Sequence, residues 1–168
     1  ALSNGNYVVT SWNWNNGSAT NAGAVTWGDG STGVSGAVSA ENSLVGVTSD
    51  DKLGLGGVTA LSNGNYVVNN LFWDNGSVVN AGAATWGNGS SGVRGAVSAA
   101  NSLVGTKNSD LVGYGGITAL TNGNYVVASY NWGNGATIGA GAVTFGNGSI
   151  GVSGAVTADN SLVGTTYG

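Results

Sequence analysis

Three times along the chain an apolar pair, a polar turn and a β-branched run follow one another in the same order: Ala-Leu, then Ser-Asn-Gly-Asn or Thr-Asn-Gly-Asn, then Tyr-Val-Val. The copies begin at Ala1, Ala60 and Ala119, and Tyr7, Tyr66 and Tyr125 stand 59 residues apart with no insertion or deletion between them. One unit has therefore been copied in tandem, as residues 1–59, 60–118 and 119–168, inside a single repeat domain. The Asn-Gly pair between two apolar runs predicts a β-hairpin, because an Asn-Gly turn tolerates positive φ. Its second strand, read from Tyr7 through Trp14, places Val8, Thr10, Trp12 and Trp14 on one face by the period of two. The matching faces are Val67, Asn69, Leu71, Trp73 and Val126, Ala128, Tyr130, Trp132.

A second Asn-Gly turn follows at Asn16, Asn75 and Asn134. The next strand is Gly23 to Trp27, with Val25 and Trp27 facing one way and Ala84 with Trp86, then Val143 with Phe145, as their copies. Gly-Ala-Val then predicts a fourth strand at 36–40, 95–99 and 154–158. The invariant Asn-Ser-Leu-Val-Gly reads as a turn into a short extended piece, with a single helical turn over 37–44 as the alternative. A polar loop containing Asp51 or Asp110 leads to Gly-Gly-Val-Thr or Gly-Gly-Ile-Thr, the first strand of the next hairpin.

About four antiparallel strands per unit make the chain all-β. Three such units, with glycine-rich strands suited to close packing at an axis, predict a pseudo-threefold, propeller-like closed ring; a β-prism and a β-trefoil are the alternatives. No Gly-Gly-Val-Thr precedes Ala1. Either further units flank the sequence, or its two ends meet in space and complete one blade together. The open edge at Ala1 also allows self-association by edge pairing.

Composition narrows the chemistry. The chain has 33 glycines, no proline, cysteine, methionine or histidine, and 6% charged residues against a usual share of about 25%. Three basic residues and a net charge of -4 argue against binding nucleic acid. Without Cys there is neither thiol catalysis nor a disulfide framework. No run of 18 apolar residues occurs, so insertion into a membrane as a helix is not expected, and no charged stretch followed by an apolar run occurs, so a secretory leader is either absent or already removed.

Carboxylates and hydroxyls are what remain for catalysis. The one acidic residue kept unchanged in two units is Asp51 and Asp110; its neighbour Asp50 becomes Ser109, so no carboxylate pair recurs. We expect neither catalysis nor a cofactor. Asp50, Asp51 and Asp110 read either as ligands of a structural calcium ion or, preferably, as solvated loop carboxylates. The recurrent Tyr and Trp residues read as the core of each blade. Their functional alternative is stacking on sugars. What differs between copies is the segment after the hairpin: Trp12, Asn13 and Asn15, then Leu71, Phe72 and Asp74, then Tyr130 and Asn131. It is either relaxed surface or a binding rim with three different pockets. The Asn-Gly-Ser triplets match a glycosylation acceptor but read better as turns.

Gly-Gly-Val-Thr-Ala-Leu, Asn-Gly-Asn-Tyr-Val-Val, Trp-Gly-Asn-Gly-Ser and Asn-Ser-Leu-Val-Gly together resemble a tandem repeat of very large secreted bacterial surface proteins, filamentous-haemagglutinin-like adhesins among them. The resemblance spans the chain; Phe145 replaces the Trp and Asp29 the Asn of the third motif. It implies a few-bladed propeller-like module of the β-flower kind, located outside the cell or on its surface and without catalytic residues. Glycans or other surface proteins are the partners it implies. A lectin-like module with up to three related sites is the alternative function.

Overall fold

The computed structural model describes residues 1–167, and among them it contains only strands, turns and loops. In chain order the strands are β1 (Tyr7–Ser11), β2 (Ala24–Gly28), β3 (Ser43–Val45), β4 (Val58–Ala60), β5 (Tyr66–Asn70), β6 (Ala83–Gly87), β7 (Gly95–Ala96), β8 (Ser102–Val104), β9 (Gly116–Ala119), β10 (Tyr125–Ser129), β11 (Ala142–Gly146), β12 (Gly154–Ala155) and β13 (Ser161–Val163). They form three sheets, ordered β1-β2-β3-β7, β12-β8-β6-β5-β4 and β13-β11-β10-β9. The hairpin, the turns and about four strands per unit are as the sequence predicts. Gly5, Gly64 and Gly123 take φ of +89°, +90° and +86° in the Asn-Gly turns, a conformation that favours glycine.

The first and second sheets each borrow their last strand from the following unit. Strand β7 of the second unit runs parallel to β3 of the first, pairing Leu44 with Gly95 and Val45 with Ala96. Strand β12 of the third unit does the same to β8. Every other strand pairing is antiparallel. The predicted fourth strand is thus only two residues long, because it meets just the exposed edge of the preceding layer. At 36–37 the first unit has no strand, and within 37–44 one hydrogen-bonded turn forms, Ser43 N bonding to Ser39 O at 2.9 Å, where β3 begins.

The layers stack face to face. In β5 all five residues are buried, whereas β10 alternates between buried and half-buried and β1 has no buried residue. A sheet covered on both sides loses the alternation that a one-sided sheet shows. One core joins Val25, Leu44 and Val8 on the first sheet to Tyr66, Val68, Ala83 and Val104 on the second. Another joins Val67, Ala84 and Leu103 on the second sheet to Tyr125, Val127 and Ala142 on the third. Full burial of Leu44 or Leu103 stabilises its junction by about 1.5–3 kcal/mol.

This stack replaces the expected closed ring. Among the described residues every hydrogen bond between units joins neighbours, first to second or second to third. The sheets meet through apolar faces, not through glycine-rich edges gathered round an axis. Glycine serves a different purpose. Gly28, Gly87 and Gly146 stand opposite Tyr7, Tyr66 and Tyr125 across the first strand pair. A Cβ on Gly87 would lie 2.2 Å from Tyr66 Cζ, so the ring occupies the space a side chain would need.

Two further expectations change. The hairpin's second strand stops at Ser11, where Trp14 N bonds to Ser11 O at 2.9 Å and turns the chain. Trp12 and Trp14 therefore do not continue the face of Val8. The aromatic core also lies between units, not within blades: Trp73 belongs to the first core and Trp132 to the second. Trp14, which has no preceding layer, is only half-buried.

Candidate functional site

The densest polar geometry lies at the two junctions between layers. The Asn-Gly-Asn turn works in both directions along the stack. Within its own unit, Asn65 Oδ1 accepts from Gly89 N at 2.9 Å, as Asn6 Oδ1 does from Gly30 N at 2.9 Å. Toward the next unit, Asn4 Nδ2 and Asn6 Nδ2 both donate to Gly89 O at 2.8 Å, and Trp27 Nε1 adds a third bond at 2.9 Å. Gly148 O receives the same three donors from Asn63, Asn65 and Trp86, at 2.8, 2.8 and 3.0 Å. These carbonyls project because glycine lets the turn press onto its neighbour: a Cβ on Gly89 would stand 1.7 Å from Gly64 O. Phe145 fills the third Trp position without an indole N–H. Trp86→Phe should accordingly lose about 1 kcal/mol of stability, read as a lower denaturation midpoint with an unchanged slope.

The shared acidic position forms a second link. Asp51 is 0% and Asp110 2% exposed, which overturns the reading of solvated loop carboxylates. Asp51 Oδ2 accepts from Val47 N and Thr48 N at 3.0 and 2.9 Å, and Oδ1 accepts from Asp74 N of the next unit at 2.9 Å. Asp110 repeats this with Thr106 N and Lys107 N at 2.9 Å and Gly133 N at 3.1 Å. Burial pushes the Asp51 carboxyl above its ordinary range, against the pull of the three N–H donors. Lys107 Nζ strengthens the second junction through Gly133 O at 2.9 Å and Gly135 O. The Asp50–Lys52 ion pair, at 3.1 Å, is solvated and contributes little. Among the described residues no group of three or more Asp, Glu, His or Cys side chains comes together that could hold a metal ion.

The variable segments sit in equivalent turns, one set in each layer, and do not converge on one pocket. Trp12, Asn13 and Asn15 are exposed, whereas Leu71, Phe72 and Asp74 are half-buried at the first junction. Asn15 Oδ1 accepts from Asn21 N at 2.8 Å and Asp74 Oδ1 from Asn80 N at 2.7 Å, so both close their own loops. Tyr130, 62% exposed, and Asn131 border a cavity of about 360 Å³ with Asn108, Ser109, Ile138 and Tyr167.

The signal for the junction residues was present in the sequence. Asp51 and Asp110 are the one acidic residue repeated unchanged in a chain that otherwise avoids charge, and Asn-Gly-Asn is invariant. What the sequence did not provide was the neighbour that each contacts.

No helix among the described residues is long and apolar enough to cross a membrane. No curated protein matches the sequence. A repeat family's model matches residues 1–55, 60–114 and 119–168, the same three units that form the three layers. The chain belongs to that family, described as a repeat of unknown function, DUF5650.

Proposed function

We propose that the chain is a non-catalytic structural and interaction module of a secreted bacterial surface protein, a spacer that carries variable loops on an invariant stack. The observation that carries this reading is where the shared polar motifs go. Asn-Gly-Asn, the Gly89 and Gly148 carbonyls and the Asp51 and Asp110 carboxylates are all engaged in joining layers. Of the turns that differ between units, Trp12, Asn13 and Asn15 in the first and Tyr130 in the third are exposed, whereas Leu71, Phe72 and Asp74 are half-buried. Low charge, with Asn, Ser and Thr in its place, and the resemblance to surface-protein repeats support a location outside the cell.

A spacer must accept another layer. Inserting one more copy of residues 60–118 between the second and third units should give a folded protein whose maximum dimension, by small-angle scattering, grows by about one sheet spacing of 10 Å. An insertion that fails to fold, or that leaves the dimension unchanged, would sink the spacer reading. Fractionation of producing cells checks the location: recovery of the parent protein from the cytosol alone would end the surface assignment.

The cavity beside Tyr130 favours one second reading, carbohydrate binding. An aromatic face next to amide groups suits a sugar ring, whose C–H face covers the aromatic while its hydroxyls bond to the amides. A glycan array should then show binding that Tyr130→Ala abolishes. No binding at millimolar sugar would dismiss it.

A further inference from the structure

The geometry points to head-to-tail assembly of copies of this 168-residue stretch, in which the outer face of the third sheet receives the outer face of the first sheet of a second copy. This inference stands on the stack alone and is independent of the surface-protein reading. Each end face is of a kind that is covered twice inside the molecule. On the third sheet Val143 and Leu162 are 42% and 80% exposed, whereas their counterparts Val25 and Leu44 are 1% and 0% exposed under the next layer. On the first sheet Val9 is 45% exposed, whereas Val68 and Val127, its counterparts, are both 0% exposed beneath the preceding layer. What covers each kind of face inside the molecule is the kind exposed at the opposite end.

Polar groups at the two ends match in the same way. Asn122 and Asn124 use their Oδ1 atoms within their own unit, but among the described residues their Nδ2 groups have no acceptor. Gly30 O, the counterpart of Gly89 O and Gly148 O, has no donor among the described residues. The edge of β13 is free, and the segment at 36–37 that corresponds to β7 and β12 has no strand to join.

The internal junctions fix the register. Gly95 N bonds to Ala40 O at 3.0 Å and Val97 N to Val45 O at 3.3 Å; Gly154 N bonds to Ala99 O at 2.9 Å and Val156 N to Val104 O at 3.1 Å. Carried one unit further, Gly36 N meets Ala158 O of the neighbouring copy and Val38 N meets its Val163 O. A groove of about 170 Å³ bordered by Val9, Thr26, Val34 and Val38 then takes the neighbour's Val143 and Leu162. Two different faces meet, so the contact does not close on itself and propagates as an open filament. Added strands and an apolar face act together in it.

Analytical ultracentrifugation over a concentration series tests this with two variants at exposed positions, Leu162→Asp and Val9→Asp, each checked by circular dichroism for unchanged folding. The parent chain should grow in steps of one 16.3 kDa chain as concentration rises. Each variant alone should stay monomeric, because one end is spoiled. An equimolar mixture should stop at the dimer, because each variant supplies the end the other lacks. A parent chain that stays monomeric throughout would overturn the inference and leave the end faces to further units of one continuous chain. A single variant that still oligomerises, or a mixture that stays monomeric, would overturn it equally.

Discussion

Asp110→Ala should lower the unfolding free energy by about 3–5 kcal/mol, because it strands three backbone N–H groups in a junction that water reaches poorly. Thr106 N and Lys107 N lose the acceptor that shapes their own loop, and Gly133 N loses the bond that ties the third unit to the second. Asp110→Asn should cost less. It keeps one acceptor oxygen and the volume, but it turns an amide N–H₂ toward one of the three donors. Denaturant titration followed by intrinsic fluorescence gives both numbers. Trp132, 6% exposed beside this junction, should shift its emission to longer wavelength in the alanine variant before the rest of the chain unfolds. If Asp110→Ala matched the parent within about 0.5 kcal/mol, the range of an ordinary surface substitution, the carboxylate would have no structural role.

Gly89→Ala should be at least as damaging, at about 4–6 kcal/mol, and for a different reason. The new Cβ would stand 1.7 Å from a backbone oxygen, which cannot rotate away as a side chain could. The turn must move, and it carries the carbonyl that accepts from Asn4, Asn6 and Trp27. Gly30→Ala is the internal control. Its Cβ would meet Gly5 O at 2.0 Å, a similar clash within one unit, but Gly30 O holds no bond between units. In dilute solution, where chains are apart, the difference between the two variants reads the three junction bonds directly. Equal losses would show that the clash within the turn accounts for everything.

Much of the local structure was legible because it depends on neighbours in sequence. Asn-Gly marked the hairpins, the period of two put Val25 and Trp27 on one face, and Asn-Ser-Leu-Val led into a strand. The arrangement of the layers depends on faces, and there the glycines misled. They suggested crowding at an axis, whereas Gly87 makes room for the Tyr66 ring and Gly89 for a neighbouring carbonyl. Tyr66 to Asn70 shows no alternation of apolar and polar residues, but neither does Tyr7 to Ser11, which has no buried residue, so the burial of β5 follows from its place in the stack. The candidate rim was legible as a set of variable turns. Its division among layers was not, because it follows from the stacking. Asp51 and Asp110 were legible as a repeated acid, but burial depends on the next unit closing over them.

The strand that each unit extends to its predecessor bears on how such an array can change in length. Because each of the first two layers is completed from the following copy, no single point in the repeat is a privileged boundary. A crossover between equivalent positions of any two copies removes or adds 59 residues and still leaves each sheet with a forward face, a backward face and a strand to receive. Growth or shrinkage by unequal recombination is therefore structurally neutral at every phase of the repeat, whereas a shift of even one residue would turn every side chain of a strand toward the wrong layer.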